Sequence, residues 1–330
     1  MKEILNQLFE HKKLDRDTAR KVLTNISQDR YNEAQIAAFI SVYLMRSISV
    51  DELDGFRTAL LDLCHKVDME GRETIDLCGT GGDGKNTFNI STLSSFVVAG
   101  AGYQVTKHGN YGVSSACGSS NVLEHMGYKF TNDVDTLKRQ IDAANICFLH
   151  APLFHPALKG VGPIRRQLGV KTFFNMLGPL VNPAEPKQQL VGVFNLKLAR
   201  LYQYLHENLD KNYTIVHSVD GYDEVSLTGS VKLIKSHEDL LATPSYFGMK
   251  KLQPKEIYGG DTVDSAAEIF KKVIKGEGTQ AQTDVVVANS ALAIQCFNFD
   301  KSIEDCVSEA RVSIHSGKAY DALSTLISTQ

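Results

Sequence analysis

In Ile75-Asp76-Leu77-Cys78-Gly79-Thr80-Gly81-Gly82-Asp83-Gly84-Lys85-Asn86-Thr87-Phe88-Asn89-Ile90-Ser91-Thr92, a short apolar run gives way to a glycine-rich turn and then to a helix running to about Ala101. A strand, a tight turn and a helix in that order form the unit from which parallel sheets are built. The pattern recurs. Tyr103-Gln104-Val105-Thr106 leads into Lys107-His108-Gly109-Asn110-Tyr111-Gly112-Val113-Ser114-Ser115, and a helix follows around Ser120 to Met126. Ile146–Leu149, Leu190–Phe194 and Tyr213–His217 read as three further strands, with helical segments between most of them. Strands that are apolar throughout belong in a sheet covered on both faces. Residues 284–297 and 303–314 read as late helices packed on that sheet.

Upstream of this region the chain reads as helices alone. Ile36, Phe39, Ile40, Tyr43 and Leu44 keep the spacing of one buried helical face, with Asn32 placed to cap it. Ser49 and Glu52 form a capping box for the next helix, which carries Leu53, Phe56, Leu60 and Leu61 inward. The expected fold is α/β: a small all-helical N-terminal domain plus a larger domain with a mostly parallel central sheet flanked by helices. The expected boundaries are 1–72 for the helical domain, completed by about 163–182, and 73–162 with 183–330 for the α/β domain.

Bulk properties narrow the function. The 330 residues are 43% hydrophobic and 22% charged, with a net charge of −3, so no global basic field points to nucleic acid or an anionic membrane. Any bound anion needs a local cradle. No run approaches the roughly 18 apolar residues of a membrane span. The six cysteines lack a Cys-x-x-Cys pair, which fits reduced thiols in a cytoplasmic enzyme.

Four elements carry chemistry. The Gly79 loop can turn its N–H groups toward a phosphate at a helix start, with Thr87, Ser91 and Thr92 adding hydroxyls; the same loop would serve equally as a structural turn. The second loop adds Lys107 as a mobile ammonium, and hydroxyls from Ser114, Ser115 and Ser119; its bland reading is a Ser/Gly-rich connection. Two such cradles at neighbouring strand ends suit a substrate phosphorylated at two ends. Asp223 and Glu224 in Asp220-Gly221-Tyr222-Asp223-Glu224 suit Mg²⁺, or else a solvated acidic turn. Arg165 or Arg166 can fork onto a carboxylate and His155 can line an aromatic-acid pocket, although each residue type is more often structural.

Taken in order, Gly79-Thr80-Gly81-Gly82-Asp83, Asn89-Ile90-Ser91-Thr92, Lys107-His108-Gly109-Asn110, Phe174-Asn175-Met176-Leu177-Gly178-Pro179-Leu180 and Asp223-Glu224 resemble the anthranilate phosphoribosyltransferase family along most of the chain. The resemblance implies a cytoplasmic homodimer that binds phosphoribosyl pyrophosphate (PRPP) and anthranilate, with no nucleic-acid or membrane partner and two Mg²⁺ per subunit. Carried over, Gly79, Gly82, Asp83, Thr87, Asn89, Ile90, Ser91, Thr92, Lys107, His108, Gly109, Asn110, Tyr111, Gly112, Val113, Ser114, Ser115 and Ser119 would hold PRPP. Gly79, His108, Asn110, His155 and Arg165 would serve anthranilate. Ser91, Asp223 and Glu224 would bind metal, and Lys107, Asp223 and Glu224 would be catalytic. Gly178-Pro179 resembles the family's interdomain connection. Three departures remove charge near the PRPP loop: Tyr111 where the family commonly has Arg, Asn121 where it often has Asp, and Ala116-Cys117 in a frequently positive stretch. The rival readings are a pyrimidine nucleoside phosphorylase, whose loop reads Lys-His-Ser-Thr-Gly-Gly, and a non-catalytic nucleic-acid-binding relative.

Overall fold

The computed structural model describes residues 1–112 and 117–330. In chain order the helical start comprises α1 (Lys2–Phe9), α2 (Arg16–Ser27), α3 (Glu33–Met45) and α4 (Val50–Leu63). There follow β1 (Thr74–Gly79), α5 (Ile90–Gly100), β2 (Gln104–Gly109), α6 (Ser119–His125), α7 (Val134–Ala144) and β3 (Ile146–His150). Next come α8 (Ala151–Phe154), α9 (Val161–Leu168) and α10 (Phe174–Leu177), then β4 (Gln188–Gly192), α11 (Leu196–His206) and β5 (Asn212–Ser218). The chain ends with β6 (Val231–Lys235), β7 (Asp239–Ala242), α12 (Val263–Ile274), α13 (Gln280–Gln295), α14 (Ile303–His315) and α15 (Lys318–Ser328).

These elements form two compact units: Met1–Val67 with Ala151–Pro183, and Asp68–His150 with Ala184–Gln330. The return to the helical unit begins at Ala151, where β3 passes directly into α8, rather than near residue 163 as the sequence reading has it. Gly178-Pro179 opens a 3₁₀ turn inside the helical unit, and the chain leaves that unit only after Pro183.

The helical unit is built as its caps predict. Asn32 Oδ1 accepts from Gln35 N at 2.9 Å, and Ser49 exchanges bonds with Glu52 in a complete capping box. Its core is aromatic: Phe56 stacks on Phe173 at 4.8 Å and meets Phe39 and Tyr43 edge-on. Glu52 is fully buried and satisfied, accepting from Leu14 N at 2.9 Å and pairing with Arg46. Helices α2 and α4 cross closely because position 55 has no side chain; a Cβ there would overlap the Arg16 carbonyl.

In the α/β unit seven strands order β3-β2-β1-β4-β5-β6-β7. The first five are parallel, as the apolar runs predict, and β6 and β7 close one edge antiparallel. That edge, and helices α12 and α15, lie outside the sequence reading. Successive strands run outward from β1 to β3 and then restart on the other side of β1 with β4. The order therefore reverses at the β1/β4 boundary, where open parallel sheets bind ligands beyond the strands' carboxyl ends. Helix α5 packs on α13 and α15. Helix α13 is enclosed all round, with Val285, Val286, Val287, Ala288, Ala291 and Leu292 inaccessible, as an apolar-sided central helix must be.

Gly55→Ala is expected to destabilise the protein by about 1–3 kcal/mol through overpacking at the α2/α4 crossing. Urea denaturation checks this, and an unmoved midpoint would contradict so close an approach.

Candidate active site

The Gly79 loop sits at the reversal point. Thr80 N donates to Gly192 O at 2.9 Å, extending the β1/β4 ladder by one rung before the chain turns. Gly81 and Gly82 adopt φ of 63° and 78°, a backbone region that glycine enters without penalty. Asp223 then fits into the notch. Its Oδ2 accepts from Gly81 N at 2.7 Å, and a Cβ at Gly79 or Gly192 would collide with it. Glu224 reaches the start of α5, where its Oε1 accepts from Ser91 N at 3.1 Å. The expected phosphate loop, the metal-ligand serine and the two acids are thus brought together inside one unit. Leu77, Ser91, Asp223 and Glu224 share one small cavity with Asn289.

The far side of the same loop is clamped by a segment that sequence reasoning passed over. Asn86 O accepts from Gly259 N at 2.8 Å, Asn86 Nδ2 donates to Gly260 O at 2.7 Å, and Thr87 bridges Tyr258. Gly259 lies so close to Thr87 that a Cβ would overlap its carbonyl. The Gly-Gly pair was the available signal.

Lys107 corrects an expectation. It is no mobile ammonium: it is 2% exposed and its Nζ donates to Leu77 O at 2.6 Å. The paired register of β1 and β2 covers Thr74↔Gln104 and Ile75↔Val105, and side chains bridge the strands beyond it. Asp76 Oδ1 accepts from His108 N at 3.1 Å, while Lys107 spans the other way. Burial pushes the Lys107 pKa down, opposed by the charges of Asp76, Cys78 and Glu224.

The second loop is tied at its ends. Asn110 O accepts from Ser120 N at 3.1 Å and from the Ser119 hydroxyl at 3.2 Å, and Asn110 Oδ1 accepts from Tyr111 N at 2.8 Å. Asn121 Oδ1 accepts from both Gly112 N (2.9 Å) and Gly118 N (3.0 Å). An amide oxygen therefore does here what a carboxylate oxygen would do. Tyr111 turns toward an aromatic group, edge-on to His150 at 4.9 Å, with its hydroxyl donating to Glu124 at 3.3 Å. It offers no cation. Val113, Ser114 and Ser115 of the expected PRPP loop, and the departure at Ala116, lie outside the described residues. Cys117 contributes its carbonyl, which accepts from Asn89 Nδ2 at 3.0 Å.

Arg165 and His155 belong to the helical unit. Of the two neighbouring arginines, Arg165 is the enclosed one; it lies over the Phe174 ring at 5.3 Å and donates to Asn175 Oδ1 at 3.3 Å. Burial lowers its pKa and no acid among the described residues opposes the shift, so its guanidinium retains capacity for a carboxylate. His155 is buried, and burial pushes its pKa down to about 4, so the ring is neutral at pH 7.

Among the described residues no three His, Cys, Asp or Glu side chains form a metal cage. The acids nevertheless fit Mg²⁺, which is usually held by one or two carboxylates with the rest of its shell from phosphates and water. Burial, then repulsion from Asp83, raises the Asp223 pKa to about 7; burial and both aspartates raise that of Glu224 well above the ordinary range. Asp83 is itself raised by burial. Three carboxylates crowded in this way call for a cation. Thr80 Oγ1 and Asn89 Oδ1 are also enclosed without partners among the described residues; the Asn89 oxygen can accept from a sugar hydroxyl, and the Thr80 hydroxyl can donate to a phosphate oxygen.

Residues 71–320 match the glycosyl transferase family a/b domain, and residues 2–64 match the glycosyl transferase family helical bundle domain. The chain is 58% identical over 326 residues to the anthranilate phosphoribosyltransferase of Christiangramia forsetii, covering 99% of this chain and 98% of that one. It is equally 58% identical to that of Flavobacterium johnsoniae, with the same coverage. Among solved structures it resembles the anthranilate phosphoribosyltransferase of Thermus thermophilus (TM-score 0.92, 28% identity, 98% of each chain). It also resembles the Saccharomyces cerevisiae enzyme in complex with PRPP and Mg (TM-score 0.91, 25% identity, 98% of this chain and 96% of that one).

Raised carboxyl pKa values favour the protonated form in the fold. Asp223 therefore contributes stability below the unfolded value of about 4 that is lost as pH rises through about 7. In EDTA, Asp83→Asn is expected to gain stability relative to the parent between pH 5 and pH 8, because it removes the repelling charge. Urea midpoints at the two pH values check this; a difference independent of pH would contradict the coupling.

Proposed function

The chain belongs to the anthranilate phosphoribosyltransferase family, and from that footing we propose how its residues carry out the family's reaction. The enzyme transfers the phosphoribosyl group of PRPP to the anthranilate amine in L-tryptophan biosynthesis. A nitrogen–carbon bond forms at C1 of the ribose, the carbon–oxygen bond to pyrophosphate breaks, and the amine gives up a proton. Membership of this family answers the phosphorylase and nucleic-acid alternatives.

The observation that carries the reading is the seating of Asp223 in the Gly79–Gly81 notch, with Glu224 on the first turn of α5. We assign Gly79, Gly82, Asp83, Thr87 and the run Asn89 to Thr92 to PRPP, together with Lys107 to Ser115 and Ser119. Asp223, Glu224 and Ser91 are assigned to the metal. When bound, Mg²⁺ would neutralise the charge that builds on the departing pyrophosphate. The backbone N–H groups of the loop orient the phosphates, and Lys107, held by its bond to Leu77 O, supplies a donor group fixed in place. Gly79, His108, Asn110, His155 and Arg165 are assigned to anthranilate. Arg165 supplies a guanidinium for its carboxylate, and the neutral His155 a partly apolar wall. An aromatic amine is neutral at pH 7, so alignment and electrostatic stabilisation suffice without a strong base. We further assign PRPP binding to the α/β domain, two Mg²⁺ per subunit, a homodimer and a cytoplasmic setting, on the family resemblance.

Formation of phosphoribosyl anthranilate from PRPP, anthranilate and Mg²⁺ tests the reading, with EDTA expected to abolish it. Glu224→Ala should lower kcat by about 10²- to 10³-fold at saturating Mg²⁺; unchanged turnover would remove the metal assignment. Arg165→Ala should raise the anthranilate KM by about 10- to 100-fold while leaving the PRPP KM in place; an unaltered anthranilate KM would remove that role.

A further inference from the structure

Asn289 is the one amide in the apolar stretch Val285-Val286-Val287-Ala288-Asn289-Ser290-Ala291-Leu292, near the middle of the enclosed helix α13. It is 4% exposed, so its carboxamide must find partners inside the protein. It finds three. Oδ1 accepts from Val225 N at 3.0 Å, and Nδ2 donates to Val225 O at 3.0 Å and to Val285 O at 2.9 Å. Both backbone groups of the residue following Glu224 are thus read by one planar side chain. Only an amide offers donor and acceptor side by side in this way.

On the other flank, the Ser218 hydroxyl donates to Glu224 O at 2.6 Å. The backbone carrying the second acid is therefore pinned from α13 and from the end of β5. The acids are also fixed at their tips, where Asp223 Oδ2 accepts from Gly81 N and Glu224 Oε1 from Ser91 N. Leu227 just downstream holds φ of 58°, an unfavourable value for a bulky side chain, so this stretch needs its pins to keep its course.

We propose that Asn289 is a positioning residue that holds the Asp223–Glu224 backbone in the geometry required to bind the divalent cation, acting through Val225. This rests on the assignment of Asp223 and Glu224 as metal ligands. It predicts that loss of the amide weakens the cation site before it harms the chemistry.

The test is Mn²⁺ binding in the presence of PRPP, followed by electron paramagnetic resonance, in the full-length protein and in Asn289→Ala. Mn²⁺ affinity should fall by about 10- to 100-fold. The Mg²⁺ concentration for half-maximal activity should rise in parallel, with kcat recovering at saturating Mg²⁺. A merely structural amide would lower the melting temperature and leave Mn²⁺ affinity within about twofold of the parent, which would overturn the proposal. Ser218→Ala removes the opposite pin without entering α13 and should weaken Mn²⁺ in the same direction. If Asn289→Ala does not fold, unchanged Mn²⁺ affinity in Ser218→Ala overturns the proposal. Glu224→Ala separates the two readings. Retained Mn²⁺ binding there would remove the metal site itself, whereas loss there with normal binding in Asn289→Ala would remove only the role of Asn289.

Discussion

Asp223 occupies a notch that exists only because Gly79 and Gly192, at the ends of two adjacent parallel strands, have no side chains. The rest of the site is arranged around that fit. Sheet order places the notch at the reversal point between β1 and β4. The turn at Gly81 and Gly82 then folds back far enough for its N–H to reach the carboxylate. Once Asp223 is seated, chain connectivity puts Glu224 within reach of the first turn of α5. The Gly79 loop and a pair of acids, more than 130 positions apart in sequence, become one surface.

The arrangement is electrostatically tense. Burial raises the pKa values of Asp223 and Glu224, and Asp83 increases the effect on both. On the neighbouring strand burial lowers the pKa of Lys107, a shift that Asp76, Cys78 and Glu224 oppose. Acids and a lysine are therefore held together in a low-dielectric region, as the proposed site for a doubly phosphorylated substrate and its metal requires. Preorganised charge of this kind needs no rearrangement during the reaction. The protein fixes these groups with backbone anchors: Asn289 and Ser218 on the acidic loop, Gly259 and Gly260 on the Gly79 loop, and Asn121 across the ends of the second loop.

Much of this was legible in residue order. The change from helical periodicity to alternating strands and helices separates the two kinds of unit, and the five apolar runs become the five parallel strands. Glycine loops and paired acids are open to a structural reading when each is taken alone, and it is their order along the chain that points to a phosphate and metal site. What stayed hidden depends on long-range contact. Strands β6 and β7 are short, with charged residues at Lys232, Lys235 and Asp239, and so lack the apolar continuity of a buried strand. Lys107 reads as a solvated ammonium until the sheet closes around it. Asn289 looks like an isolated polar residue in a core helix until Val225, 64 positions away, is found against it. The loss of charge at Asn121 is harmless to the loop ties because they use only an acceptor oxygen, a distinction that residue charge alone does not convey.

The most direct measurement is a crystal structure of the protein with PRPP and Mg²⁺. The account predicts Mg²⁺ about 2.1 Å from a carboxylate oxygen of Asp223 or Glu224 and from the diphosphate, with phosphate oxygens against the Gly79–Asp83 turn. A diphosphate bound away from that turn, or a cation touching neither acid, would contradict it.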